Sequence, residues 1–270
     1  MKDQADRLSV GVAGLGAVGM KVAAALDEGI DGLDLVAVSA RDVERARKRA
    51  SGFSTSPAVL TLDELPGRAK VIVECLPPEL FRRIAEPVVN RGDVLVVASV
   101  GALLSANDLV VLAHRLGGRV FAPSGAVAGL DGLAAAAEAG LEDVTLVTRK
   151  PPSAFTPEIM RQLDTMNLTA PRRVFAGNAV EAVKAFPQNV NVAATVSLAG
   201  FGPERTRVEV WCDPDVPNNR HELNFRSAVG EVRVEVSNLP DPENPRSSAA
   251  TGYSIVACLR KLSATLCIGS

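Results

Sequence analysis

The chain has 270 residues, 47% of them hydrophobic and 22% charged, with a formal net charge of -2. A chain of this size buries roughly three quarters of its unfolded surface, so one large or two ordinary domains form without a disulfide or metal staple. The slight acidity and an aromatic content of 4% exclude a basic, base-stacking nucleic-acid surface and an anionic-membrane partner.

An apolar run through Leu8, Val10 and Val12 breaks into Gly14-Leu15-Gly16-Ala17-Val18-Gly19, and a helical pattern follows with Val18, Val22, Ala25 and Leu26 on one face. Strand, glycine turn and helix in this order suit a dinucleotide. Gly14 permits the tight turn, Gly16 lets the backbone approach a pyrophosphate, and Gly19 allows close helix–strand packing. The phosphates then lie on the free N–H groups at the helix start, around Ala17 and Val18. A glycine turn without a ligand is the alternative; the flanking strand and helix favour binding.

Leu33–Ser39 reads as a second strand, ending about 20 residues past the glycines, where an NAD-specific fold offers a carboxylate to the ribose 2′-OH. Ser39-Ala40-Arg41-Asp42 stands there instead. Ser39 and Arg41 suit a 2′-phosphate; equally, Arg41 is solvated and Asp42 caps a helix over Val43–Ala50. Both NAD and NADP therefore stand as cofactors. Arg45, Arg47, Lys48 and Arg49 read as that helix's solvated face.

Val71–Leu76 is a continuous apolar run interrupted only by Glu74, as in a strand buried on both faces, and Pro77-Pro78 ends it. Leu80–Val89 follows as a helix, Val94–Ser99 as a strand, Asp108–Leu116 as a helix and Arg119–Pro123 as a strand. This alternation predicts a Rossmann-type, doubly wound parallel sheet, an α/β fold. Ligands of such sheets bind at the carboxyl ends of the strands, so the turns at Leu76, Ser99 and Ser124-Gly125-Ala126 should line the cofactor.

The rhythm then changes. A helix over Leu133–Ala139 leads to strand-like Val144–Thr148, and Thr206–Trp211, Leu223–Phe225 and Val232–Val236 follow with no helix between them. A second α+β domain with a mostly antiparallel sheet is expected. The division is residues 1–125 for dinucleotide binding and 126–245 for substrate and dimerisation, with a helical segment over 246–270 packing back on the first domain.

His114 lies in the last turn of a helix, where an imidazole complements the dipole. His221 follows the polar stretch from Asp213 and reads as a residue between strands that titrates near neutrality, oriented by Asp213, Asp215 or Glu222; an exposed loop histidine is the alternative. Asn189 and Asn191 stand at the mouth of an apolar helix running to Leu198; their carboxamides suit a nicotinamide or a substrate carboxylate, and helix capping is the alternative for Asn189. Lys150 is a candidate carboxylate anchor and otherwise a solvated strand-end lysine. Cys75, Cys212, Cys258 and Cys267 have no metal-ligand spacing and are expected to be free thiols, with no metal site. Without a leader pattern or a long apolar run, a cytoplasmic location is expected.

The segments Pro123–Asp131, Arg149-Lys150-Pro151-Pro152, Phe186–Ala193 and Trp211-Cys212-Asp213-Pro214, continued by His221 and Asn244–Ser248, resemble the L-aspartate dehydrogenase family over nearly the whole chain. The resemblance implies reversible NAD(P)-dependent oxidative deamination of L-aspartate through iminoaspartate, a precursor in NAD biosynthesis. It also implies that His221 is the catalytic histidine and that Asn191, Gly125 and Ala126 contact the cofactor. The substrate carboxylates need cationic or N–H partners, for which Lys150, Ser124 and Asn189 are the candidates. A homodimer paired through the second domain's sheet is expected. A related dehydrogenase of another small amino or hydroxy acid, such as homoserine, and a non-catalytic NAD(P) sensor are the competing readings.

Overall fold

A computed structural model describes residues 7–162, 165, 168–186, 191–245 and 247–269. The chain divides into two compact units, one running to Gly125 and including Thr251–Ile268, the other spanning Ala126–Ala250.

In the first unit the elements are β1 (Leu8–Ala13), α1 (Ala17–Gly29), β2 (Leu33–Ser39), α2 (Val43–Ala50), β3 (Ala58–Leu60) and β4 (Val71–Glu74). They continue with α3 (Phe81–Asn90), β5 (Val94–Val97), α4 (Val100–Leu103), α5 (Asn107–Leu116) and β6 (Arg119–Phe121). All strand pairs are parallel, in the order β3-β2-β1-β4-β5-β6. The strand order reverses beside β1, which is where a doubly wound sheet opens a ligand crevice. The continuous apolar runs have the expected cause: Val10, Val12, Val71, Val73 and Val96 are all fully buried.

The second unit holds α6 (Leu130–Glu138), β7 (Leu141–Lys150), α7 (Pro157–Gln162), β8 (Arg172–Asn178), α8 (Ala179–Ala185) and α9 (Asn191–Ala199). β9 (Arg207–Cys212), β10 (Arg220–Ser227) and β11 (Gly230–Ser237) follow. Its sheet runs β11-β10-β7-β9-β8, antiparallel except for the parallel pair β7–β9. Along β7 the side chains alternate, with Val144, Leu146, Thr148 and Lys150 all buried. That face packs against α6, α8 and α9 through Leu133, Ala182 and Val196.

The last helix, α10 (Ala250–Ser263), belongs to the first unit and inserts Ile255, Val256 and Leu259 beside Val22 and Leu26 of α1. Fully burying Ile255 and Leu259 contributes roughly 1.5–3 kcal/mol each. Gly252 stands in this helix because a Cβ there would come within 2.9 Å of the Lys21 stem. The helix is shorter than the helical segment expected over 246–270.

Two edge strands, β3 and β8, escape the sequence patterns. β3 is three residues long. β8 is largely exposed or half-buried, with a register shift between Arg173 and Phe175 that breaks its alternation. Among the described residues, no helix is long and apolar enough to cross a membrane.

Candidate functional site

At the end of β1 the first unit forms a cradle. Gly14 has φ +95°, and its N–H donates to the Ser39 carbonyl at 2.8 Å, tying the turn to the end of β2. A Cβ on Gly14 would lie 2.4 Å from the Cys75 carbonyl oxygen, and one on Gly19 would lie 1.8 Å from the Gly14 carbonyl oxygen. Both glycines are thus demanded by packing. Gly16 differs: it is exposed, and a Cβ there would meet nothing within 4 Å. Its lack of a side chain leaves open space above the turn. At the start of α1 no side chain caps the helix and no acidic residue occupies the first turn, so the N–H groups around Ala17 and Val18 face that space. These features fit a dinucleotide's pyrophosphate.

Ser39 is fully buried, and its hydroxyl has no hydrogen-bond partner among the described residues. Arg41 is exposed, while Asp42 accepts the Arg45 N–H at 3.0 Å and caps α2. Arg49 departs from the solvated-face reading of its cluster. Its guanidinium donates to the Leu15 carbonyl at 2.6 Å, because the last turn of α2 brings it to the glycine turn.

Glu74, the charge inside an apolar run, also has a structural reason. Its carboxylate accepts the Leu76 N–H at 2.7 Å, the Ser99 N–H at 3.0 Å and the Ser99 hydroxyl at 3.0 Å. Burial raises its pKa, and these hydrogen bonds oppose the rise. The clasp pins the turns after β4 and β5. Ser124 and Gly125 follow β6, with the Gly125 N–H donating to Ser254 Oγ at 3.0 Å.

In the second unit, the Ala126 carbonyl accepts from Asn238 at 2.9 Å. Asn191 is the first residue of α9. Asn189 lies outside the described residues. Lys150, read from sequence as an anchor or a solvated lysine, is only 5% exposed. It shares a small cavity with Thr148, Phe155, Phe186, Val192 and Val210. The Lys150 carbonyl accepts the Asp213 N–H at 2.9 Å, but no described residue gives the Lys150 ammonium a hydrogen bond or ion pair, and burial brings its pKa down to about 8.

His221 is neither in a loop nor free to titrate near neutrality. It sits in β10, 6% exposed, directly opposite Thr148 of β7 in the antiparallel register. Its Nδ1 lies 3.0 Å from Thr148 Oγ1. Burial and then the positive charge of Lys150 push its pKa down to about 4. None of the carboxylates expected to orient it is bonded to its ring: two are engaged elsewhere and the third is exposed. Strand alternation turns Glu222 away to Asn224 and Arg233, both at 2.9 Å. Asp213 pairs with Arg149 at 3.1 Å, and Asp215 is exposed.

Thr148, Lys150, His221 and Cys212 therefore project from neighbouring strands onto one covered face, with Thr148 opposite His221 and Lys150 opposite Cys212. The sequence reading missed Thr148. Its i, i+2 spacing to Lys150 predicts a shared face, but nothing local shows that His221 pairs beside it. His114, in the last turn of α5, is exposed.

Residues 131–262 match the family model described as aspartate dehydrogenase, C-terminal, and residues 14–123 match that of the homoserine dehydrogenase NAD binding domain. The chain is 43% identical to an L-aspartate dehydrogenase of Bradyrhizobium diazoefficiens, covering 100% of this chain and 98% of that relative. It is 37% identical to an L-aspartate dehydrogenase of Methanosarcina mazei, covering 97% and 100%. The crystal structure of aspartate dehydrogenase from Thermotoga maritima superposes with a TM-score of 0.76 at 26% identity, covering 97% of this chain and 100% of that one.

Proposed function

The chain belongs to the L-aspartate dehydrogenase family, and from that premise we infer that it catalyses the NAD(P)-dependent oxidative deamination of L-aspartate with His221 as its base. The observation carrying this assignment of roles is the buried trio of His221, Thr148 and Lys150 on one face of the second unit's sheet.

Hydride departs from Cα only as the nitrogen lone pair forms the C=N bond, so the substrate amine must be neutral. When bound, NAD(P)+ accepts that hydride. His221 removes the ammonium proton beforehand and later assists water in adding to the imine carbon, giving oxaloacetate and ammonia. Burial keeps the imidazole uncharged in the free protein, which is the form a base requires.

Lys150 sets the charge balance. Among the described residues no carboxylate pairs with this buried ammonium, which is costly, and a four-carbon dicarboxylate relieves it. The same carboxylate cancels the repulsion that Lys150 exerts on a protonated His221. Substrate binding thereby raises the proton affinity of the base when it is needed. An amino acid lacking the second carboxylate leaves the ion unpaired, which favours aspartate over homoserine.

Ser124 and Asn189 are assigned to the remaining substrate contacts. Gly14, Gly16, Ala17, Val18, Gly19, Gly125, Ala126 and Asn191 are assigned to the dinucleotide, with Ser39 and Arg41 near its ribose. Iminoaspartate released before water adds would feed pyridine-nucleotide synthesis in the cytoplasm. A homodimer formed through the second unit's sheet is supported by its largely exposed edge strand β11 and is tested by light scattering.

His221→Ala should lower turnover by roughly 10²-fold or more, the scale of a lost general base. Near-normal turnover in that variant removes His221 from the reaction.

A further inference from the structure

His221 has two ring nitrogens, and only one tautomer leaves the far nitrogen free to accept a proton. We propose that Thr148 is a positioning residue that accepts a hydrogen bond from the Nδ1–H of His221 and so keeps the lone pair on Nε2. This deepens the reading of His221 as the base and rests on it.

The geometry confines the imidazole's near nitrogen to this hydroxyl. Thr148 and His221 are direct cross-strand partners, and Oγ1 and Nδ1 are 3.0 Å apart. Both residues are buried, at 5% and 6% exposure. A threonine on a strand has a stiff χ1, so the oxygen is held in place rather than sampled. The carboxylates nearby in sequence are committed elsewhere: Asp213 to Arg149, and Glu222 to Asn224 and Arg233 on the opposite face. Lys150, two residues along β7 on the same face, is a donor only and cannot accept from the ring.

A hydroxyl can accept or donate, so the choice follows from what the reaction asks. If Thr148 donated to Nδ1, Nε2 would carry the hydrogen. Proton uptake at Nδ1 would then require the buried hydroxyl to turn round. With Thr148 accepting, the Nδ1–H···Oγ1 bond is the same in the neutral ring and in the imidazolium. Nε2 gains and loses its proton with nothing else moving. The proton taken from the substrate ammonium resides on Nε2 and returns to solvent or product from there; no oxidation occurs at this pair.

The chain has only two histidines, and His114 is exposed, so nitrogen spectra of histidine-labelled protein resolve His221 once His114→Gln is made. The expected wild-type spectrum has Nδ1 protonated and Nε2 bare. Thr148→Val keeps the side-chain shape but removes the acceptor. It should shift His221 towards the Nε2–H tautomer and lower kcat by about 10-fold to 100-fold, short of the roughly 10² or more for loss of the base itself. KM for L-aspartate should stay near the wild-type value. Thr148→Ser should restore both the tautomer and kcat. An Nε2–H ring in the wild type, or an unchanged tautomer in Thr148→Val, overturns the proposal. Normal turnover in His221→Ala would instead remove the base reading beneath it, whatever the spectra show.

Discussion

Lys150→Met takes a charge out of the second unit's cavity while keeping a flexible, apolar side chain of similar reach. Burial brings the ammonium from its ordinary 10.5 to about 8. At about 1.36 kcal/mol per pH unit, keeping the ion in the folded protein costs about 3 kcal/mol below that lower value. The sign follows from proton counts. Between about pH 8 and 10.5 the unfolded chain holds the Lys150 proton and the folded chain does not, so wild-type stability rises with pH across that window. The variant has no such rise. Near neutrality Lys150→Met should therefore be more stable by about 3 kcal/mol in urea unfolding, with the gap closing above the window. The same variant should bind its substrate poorly. Losing a charge-assisted hydrogen bond worth about 1.5–3 kcal/mol raises KM for L-aspartate about 10-fold to 100-fold. A gain in stability joined to a loss of binding marks a residue kept for function. Equal or lower stability of the variant near neutrality, or an unchanged KM, would refute the reasoning.

Acid stability tests His221 separately: its folded pKa of about 4 lies below the ordinary 6.5, so the wild type should lose stability as pH falls through that interval. His221→Gln should flatten that segment of the stability curve. Gly16→Ala should leave coenzyme-free thermal unfolding unchanged and raise KM for the coenzyme, because its Cβ enters open space. Gly19→Ala should lower the unfolding temperature as well, since its Cβ would sit 1.8 Å from the Gly14 carbonyl oxygen. Arg41→Ala should raise KM for NADP and leave that for NAD unchanged; an unaltered ratio assigns Arg41 to solvent.

The parallel sheet was legible because it depends on local patterns. Apolar runs such as Val94–Val97 and the glycine turn at Gly14–Gly19 carry their structural demands in a few adjacent residues. The second unit was legible as strands without helices between them, but its pairing was not. His221 looked like a loop residue because Arg220, His221 and Glu222 are polar. The strand starts at Arg220 because its partners β7 and β11 extend that far, which depends on residues distant in sequence. For the same reason Thr148 gave no sign of its partner, and Glu222 and Asp213, near His221 along the chain, bond Asn224, Arg233 and Arg149 instead. Arg49 shows the converse: inside a run of basic residues that otherwise face solvent, helix phase alone directs it to the Leu15 carbonyl. Lys150 stands at a strand end before two prolines, and only the sheet's alternation reveals that it is buried.

Substrate-dependent coenzyme reduction tests the central claim most directly. Purified protein is mixed with NAD or NADP and, in turn, L-aspartate, L-homoserine or L-malate at a pH no higher than about 8, where Lys150 keeps its charge, and the absorbance of the reduced nicotinamide is followed. Reduction with L-aspartate, lost in His221→Ala, is the expected result. Reduction with L-homoserine instead, or none with any substrate, would contradict a dehydrogenase built around a buried imidazole and a cation for the second carboxylate.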